Sequence, residues 1–115
     1  MKVEFLDQQT VIGTSNLDRL DPPMGVAIGL LQPTDDYDPV RHAGDLEGRD
    51  NPEAVNAQIS VRGPDGRTVE CQGVWIHHYR DTLNEIQVDV VGIPYPEYET
   101  YFGTHPDYLA YWGKG

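Results

Sequence analysis

The fold of this chain is decided by residues 55–62, whose sequence is VNAQISVR. Apolar and polar side chains alternate through this stretch with a period of two, which is the pattern of a β-strand with one buried and one solvated face. The pattern places Ile59 and Val61 in the core and Gln58 in solvent. Residues 55–62 therefore predict a strand in a sheet that buries one face.

The residues that follow predict two further strands in antiparallel order. Residues 63–66, GPDG, supply a proline that presets φ and a glycine that tolerates positive φ, so the chain is expected to turn back there. Residues 67–79 read as the returning strand and residues 85–93 as a third strand, and the three together predict a meander. The residues expected to be buried are Ile59, Val61, Ile86, Val88 and Val90, and those expected to be exposed are Gln58 and Asp89.

Weaker strand signals precede the meander, and an aromatic tail follows it. Residues 3–5 and 11–13 carry short apolar runs, and residues 24–31 read as a buried strand after a pair of prolines. Residues 94–112 combine prolines and acids suited to helix starts with aromatic residues spaced i, i+4. This tail is expected to form short helices that lie on the sheet.

The expected fold is a single α+β domain over residues 1–115. It consists mainly of an antiparallel β-sheet of about five or six strands, with the central meander and short C-terminal helices packed on one face. A chain of 115 residues has the size of one domain with one core.

The acidic segment at about residues 33–53 has a different composition. Three prolines interrupt it, its few apolar side chains show no period, and seven acids stand against two arginines. A connection of this length inside a small domain is uncommon, and it is either a binding loop or a mobile one. Both alternatives stay open, and either accommodates a short helical turn at about residues 39–43.

The chain has a formal net charge of −11 at pH 7. Such a surface repels phosphate backbones and anionic membranes, so direct binding to nucleic acid or membrane is not expected. The charge serves either ordinary solubility or steering toward a basic protein. Acids near the N-terminus interrupt the apolar run that a signal peptide needs, and no stretch of about 18 apolar residues occurs. A cytoplasmic location is therefore expected.

The residues capable of chemistry form no recognisable catalytic or metal motif. Cys71 is the single cysteine, which excludes an intramolecular disulfide and a cysteine-based metal cage. His77 and His78 are neighbours on a predicted strand, so their side chains point to opposite faces and do not ligate one metal. We expect no catalytic residues, no metal and no cofactor.

Two segments resemble parts of small bacterial proteins: DPPMGVAIG at residues 21–29 and GIPYPEYE at residues 92–99. In general character, the small size, the acidity, the missing catalytic motif and the aromatic tail are similar to those of immunity proteins of contact-dependent and other polymorphic toxin systems. That resemblance implies binding of a cognate toxin, often a basic nuclease, over its active site or a nearby surface. It implies no particular fold and no particular site residues.

The function expected from the sequence is that of an acidic protein-binding inhibitor without enzymatic activity. Its acidic loop would meet a basic cleft, complementary potentials would raise the association rate, and a few aromatic side chains would supply most of the affinity. The predicted partner-binding residues are Asp35, Asp36, Asp38, Asp45, Glu47, Asp50, Tyr98, Tyr101, Tyr108 and Trp112.

Two other function classes stay open. One is a small-ligand-binding or enzymatic β-domain with its pocket near Trp75, His77 and Tyr79. The other is a structural subunit of a larger assembly, which an exposed apolar sheet would indicate.

Overall fold

The computed structural model describes residues 1–56 and 58–112 and confirms the α+β class. Within these residues the strands are β1 (Val3–Asp7), β2 (Thr10–Ser15), β3 (Arg19–Asp21), β4 (Val26–Leu30), β5 (Gln32–Pro33), β6 (Asp45–Leu46), β7 (Arg49–Asp50), β8 (Ile59–Arg62), β9 (Gly73–Tyr79) and β10 (Glu85–Val91). The α-helices are α1 (Pro39–His42), α2 (Glu97–Phe102) and α3 (Pro106–Trp112), and two short 3-10 helices span Pro22–Met24 and Pro52–Asn56.

The strands form two sheets. The smaller sheet has the order β5–β2–β1–β8, and the larger has the order β3–β4–β10–β9–β6–β7. Neighbouring strands are antiparallel, except that β6 runs parallel to β9. The hairpin of β9 and β10 pairs every residue from Gly73 opposite Val91 to Tyr79 opposite Glu85. This hairpin forms the centre of the larger sheet.

The predicted three-strand meander is wrong, although its second and third strands pair as expected. β8 belongs to the smaller sheet, where it lies beside β1, while β9 and β10 lie in the larger sheet. The first part of the predicted strand is the 3-10 helix Pro52–Asn56, and Ala57 lies outside the described residues. The strand itself therefore begins only at Ile59.

The turn at residues 63–66 does reverse the chain, as predicted. The backbone N–H of Gly63 donates to the carbonyl of Arg67, and the N–H of Val69 donates to the carbonyl of Val61. Pairing with β8 then stops, and the chain continues to the larger sheet, where β9 begins at Gly73. Period-two alternation assigns a strand's faces but not its neighbours, which is why the partner of β8 was missed.

The two sheets share one apolar core. Val3, Phe5 and Val61 enter it from the smaller sheet, and Val88 and Ile76 enter it from the larger sheet. Four of the five residues predicted to be buried are so, namely Val61, Ile86, Val88 and Val90. Ile59 is only half-buried at the start of β8, and Gln58 is exposed as predicted.

The C-terminal helices pack on the core as predicted. Tyr98 and Phe102 project from α2 into the core, and the Tyr98 hydroxyl donates to the carbonyl of Val26 in β4 over 2.9 Å. The carboxylate of Asp107 in α3 accepts from the backbone N–H of Leu20 over 3.0 Å. α3 therefore lies at the β3 edge of the larger sheet. None of the helices in residues 1–56 and 58–112 has the length and apolar character needed to span a bilayer.

The acidic segment 33–53 consists of several short elements. The predicted helical turn is present as α1, whose first N–H groups are capped by the side chain of Asp38, which accepts from Val40 N over 3.0 Å. The strands β6 and β7 then extend the larger sheet at one edge. This placement brings the second half of the segment beside β9.

Candidate functional site

The outer face of the larger sheet carries the three side chains that the sequence associated with a pocket. Trp75, His77 and Tyr79 alternate along β9 with Ile76 and His78, so they point away from the core. Ile76 is 1% exposed, whereas Trp75 is 44% exposed. An exposed indole on an outer sheet face is unusual enough to mark a candidate binding surface.

His77 lies between two carboxylates. Its Nδ1 is 3.2 Å from Asp45 Oδ2, and its Nε2 is 3.1 Å from Asp89 Oδ2. A neutral imidazole carries one N–H, so both contacts are hydrogen bonds to carboxylates only when each ring nitrogen carries a proton. The histidine thus ties β6 to β10 across β9 and leaves neither ring nitrogen free.

Asp45 is held by three donors. The Tyr79 hydroxyl donates to its Oδ2 over 2.6 Å, the backbone N–H of Gly48 donates to its Oδ1 over 2.9 Å, and His77 makes the third contact. The hydrogen bond from Tyr79, and after it those from His77 and Gly48, hold the pKa of Asp45 below its usual value. Donation to the same carboxylate raises the pKa of Tyr79. Asp45 therefore stays ionised at neutral pH.

The indole of Trp75 lies directly on the backbone of Gly44. A Cβ at position 44 would stand 2.5 Å from the ring, so any side chain there would displace the indole. The ring meets His77 edge-on at 6.3 Å, and Asp89 is its cross-strand neighbour. A cleft of about 360 Å³ borders the indole, and Ala54, Ile59 and Val74 are among the residues that line it. We call the set Asp45, Trp75, His77, Tyr79 and Asp89 the acidic aromatic face.

A second polar cluster surrounds Asp7 and fixes α1 to β1. The Asp7 carboxylate accepts from Arg41 Nε over 2.6 Å and contacts His42 Nε2 at 2.9 Å. His42 Nδ1 accepts from the backbone N–H of Asp38, so the ring proton is on Nε2 and is donated to Asp7. Tyr37 stacks between His42 and His78, 5.8 Å from each. His42 is only 4% exposed, which makes this cluster a structural clamp.

Acid is expected to weaken the fold through Asp7. The hydrogen bonds from Arg41, and after them that from His42, hold the pKa of Asp7 below its usual value of 3.8. A carboxyl whose pKa is lower in the folded state stabilises the fold at higher pH, and that stabilisation is lost as pH falls through the lowered pKa. We expect Asp7→Asn to reduce the urea midpoint at pH 7. The difference from the parent protein should shrink as pH falls below the usual carboxyl pKa of 3.8.

The control for this pH dependence is Asp35→Asn, because Asp35 is an exposed acid outside the clamp. Its urea midpoints should follow those of the parent protein throughout the same pH range. A constant difference between Asp7→Asn and the parent protein from pH 7 to about pH 2 would contradict the assignment of the pH dependence to Asp7.

The structure divides the six predicted acidic residues into two groups. Asp35, Asp36 and Asp38 lie before and at the start of α1, and Asp36 and Asp38 border a cleft beside Asp7. The second group lies on the β6–β7 hairpin at the edge of the larger sheet. Its members are Asp45, Glu47 and Asp50.

Three of the six acids also hold the fold together. Asp38 caps α1, Asp45 accepts the three donors described above, and Glu47 accepts from Asp81 N over 2.8 Å and from Thr82 Oγ1 over 3.0 Å. Neutralising these three is therefore expected to cost stability. Asp35, Asp36 and Asp50 are exposed, so neutralising them is expected to leave the stability almost unchanged.

The predicted aromatic contacts divide in a similar way. Tyr98 is 0% exposed and Tyr108 is 9% exposed, because both face the core from their helices. They therefore offer a partner almost no surface in this structure. Tyr101 is half-buried, and Trp112 is 51% exposed. Trp112 therefore keeps its predicted role.

Two members of the site environment were missed by the sequence reasoning. Asp89 was expected to be exposed, but it is half-buried because it contacts His77 and accepts from Gln87 Nε2 over 3.0 Å. Its position opposite Trp75 follows once the register of the β9–β10 hairpin is known. Gly44 had no signal in the sequence, because its role depends on where the indole comes to lie.

Two observations concern the remaining reactive groups of the described residues. Cys71 is half-buried, and burial raises the pKa of its thiol, so it is protonated and weakly nucleophilic at neutral pH. In the described part of the chain, no three histidine, cysteine or carboxylate side chains are grouped so that they could hold a metal ion.

Comparisons of the chain with protein-family models, with curated proteins and with solved structures find no match.

Proposed function

We propose that this protein is an acidic protein-binding inhibitor that uses the acidic aromatic face to bind a basic partner. The kind of inhibitor is an immunity protein that neutralises a cognate toxin in the cytoplasm. The observation that carries the proposal is the half-exposed indole of Trp75 beside two hydrogen-bonded carboxylates, Asp45 and Asp89. A large, partly exposed aromatic side chain often anchors a protein interface, and here the charged side chains around it are all acidic.

The rigidity of the face supports this proposal. Trp75 lies on Gly44, and the carboxylates are fixed through His77 and Tyr79, so few rotamers remain to be ordered on binding. An interface whose side chains are already ordered loses less conformational entropy when it forms. The face is thus suited to a tight complex.

The sign of the charge points to the partner's chemistry. The chain's net charge is −11, and Asp50 on β7 and Glu85 on β10 add exposed acids around the acidic aromatic face. A nuclease cleft that binds a phosphate backbone is lined by lysine and arginine, and such a cleft is electrostatically complementary to this face. We therefore propose a basic nuclease domain as the toxin, and no direct contact with nucleic acid or membrane.

Binding without catalysis is the proposed mode of action. Both ring nitrogens of His77 already contact carboxylates, so neither is open to a substrate. The cleft beside Trp75 favours a second candidate function, which is binding of a small ligand against the indole. These two functions differ in whether the partner is a protein or a small molecule.

The decisive experiment is co-expression with the protein encoded by the gene next to that of this chain, which the proposal expects to contain a nuclease domain. We expect this protein to restore growth of cells that express the nuclease and to inhibit nucleic acid cleavage at a one-to-one molar ratio. A variant with Trp75→Ala should restore growth poorly, whereas one with Leu83→Ala, an exposed apolar residue in the β9–β10 turn, should act as the parent protein does. Absence of binding to the nuclease, or inhibition that does not depend on Trp75, would reject the proposal.

A further inference from the structure

An exposed aromatic patch lies at the opposite edge of the larger sheet from the acidic β6–β7 hairpin. It consists of Met24, Tyr95, Tyr111 and Trp112, which are 67%, 47%, 50% and 51% exposed. α3 and the 3-10 helix at Pro22–Met24 carry it beside β3. Three strand spacings separate β3 from β9, which is about 14 Å, so the patch and Trp75 are distinct surfaces.

The rings of the patch are held in place although they are exposed. The indole N–H of Trp112 donates to the Tyr95 hydroxyl over 3.3 Å, and that hydroxyl donates to the carbonyl of Pro22 over 3.3 Å. Tyr111 and Trp112 meet edge to face with their centroids 4.6 Å apart. Exposed rings that are already ordered lose little entropy on binding, which suits them to contact a partner.

The charges around the patch identify what it would bind. Among the described residues, the elements beside the patch (β3, α2 and α3) carry four acids, Asp21, Glu97, Glu99 and Asp107, and one arginine, Arg19, whose guanidinium donates to Gln87 over 3.2 Å. Asp21 directly precedes the 3-10 helix, and Glu97 and Glu99 lie on α2. A second copy of this chain would bring these acids against one another, so self-association through the patch is disfavoured. A cation is favoured both by the acids and by the faces of the aromatic rings.

We infer that the aromatic patch is a second docking site, which takes arginine side chains of a basic protein segment against Tyr95, Tyr111 and Trp112. Arginine suits this site better than lysine, because its planar guanidinium stacks on aromatic faces and is weakly hydrated. The site does not depend on the acidic aromatic face, and the function proposed above does not depend on it.

The two tryptophans of the chain allow each surface to be observed separately. In Trp75→Phe the fluorescence reports on Trp112 alone, and in Trp112→Phe it reports on Trp75 alone. The probe is a capped peptide of four Gly-Arg repeats, titrated at low ionic strength. The control peptide contains citrulline in place of arginine, which keeps the shape and removes the charge.

We expect the arginine peptide to change the Trp112 emission in a saturable way and the citrulline peptide to leave it unchanged. Tyr111→Leu, made in the Trp75→Phe background, should weaken binding roughly three- to tenfold, since it removes one cation–π partner while the net charge stays the same. Tyr95→Leu is the second variant, in case Tyr111→Leu lowers the thermal midpoint. A lysine peptide should bind more weakly than the arginine peptide.

Three results would overturn the inference. The first is an equal response to the citrulline peptide, and the second is an affinity that changes less than twofold in both tyrosine variants. The third is a concentration-dependent dimer in sedimentation velocity that Trp112→Ala abolishes, since this would assign the patch to self-association. If Trp75→Ala does not affect toxin inhibition, the proposed function is rejected, but the inference about the aromatic patch is not affected.

Discussion

Replacing Trp75 by alanine is expected to weaken partner binding by about 30- to 1000-fold, which corresponds to about 2 to 4 kcal/mol. The indole is the largest exposed side chain of the acidic aromatic face, and its position over Gly44 is fixed by the backbone beneath it. Truncation removes this apolar contact and admits water between Asp45 and Asp89 and the partner's cations. The loss should appear mainly in the dissociation rate, because the charge of the protein is unchanged.

The measurement is binding kinetics with the purified toxin domain, together with urea unfolding of each variant. Trp75→Phe should retain part of the affinity, and Leu83→Ala should retain all of it. The unfolding midpoint of Trp75→Ala should fall somewhat, because the indole packs on Gly44 and is only 44% exposed, so the kinetics are compared where each variant is fully folded. A dissociation rate within threefold of the parent value would remove Trp75 from the interface.

The β9–β10 hairpin was predictable from the sequence because its information is local. The alternation of apolar and polar side chains in residues 85–91 determines which of them face the core, and a short turn brings β9 beside β10. The same pattern in residues 59–62 determines the faces of β8 equally well, and Val61 is buried as expected. It does not determine that β8 joins β1, because that pairing closes a loop of more than fifty residues and depends on the whole core.

The candidate site was predictable in part for the same reason. Trp75, His77 and Tyr79 share one face of a strand by their spacing alone. The contacts of His77 and Tyr79 with Asp45 depend on the pairing of β6 with β9, which joins only two residues of each strand and has no signal in the sequence. The acidic segment and the aromatic strand, which the sequence assigned to two competing functions, therefore meet in one surface.

Aromatic residues of the tail show where composition alone is insufficient. Tyr98, Tyr108 and Trp112 all lie in short amphipathic helices, and an interface or a core would use the same residue types. Tyr98 and Tyr108 are buried because they lie on the helix faces that meet the core. Trp112 is exposed because it lies at the end of α3, which is at the β3 edge of the larger sheet.

Neutralising the exposed acids of the 33–53 segment is expected to slow association with the toxin about tenfold at low ionic strength. The suitable variant combines Asp35→Asn, Asp36→Asn and Asp50→Asn, since these side chains are exposed. Asp38, Asp45 and Glu47 are left intact because their hydrogen bonds stabilise the fold. The dissociation rate should change little, because exposed charges at the rim act mainly on the encounter of the two proteins.

Salt separates this steering effect from a change in the bound complex. The screening length falls from about 30 Å at 0.01 M salt to about 8 Å at 0.15 M, so the association rates of parent and variant should converge as salt is added. The matched control removes three charges elsewhere through Asp18→Asn, Asp65→Asn and Glu70→Gln, all at exposed positions outside the 33–53 segment. If the control slows association as much as the segment variant does, the net charge steers the partner and the segment has no special part in it. The prediction fails if the segment variant and the parent protein associate at the same rate at both salt concentrations. The acids would then belong to a solvated connecting loop, and recognition would depend on the aromatic surfaces.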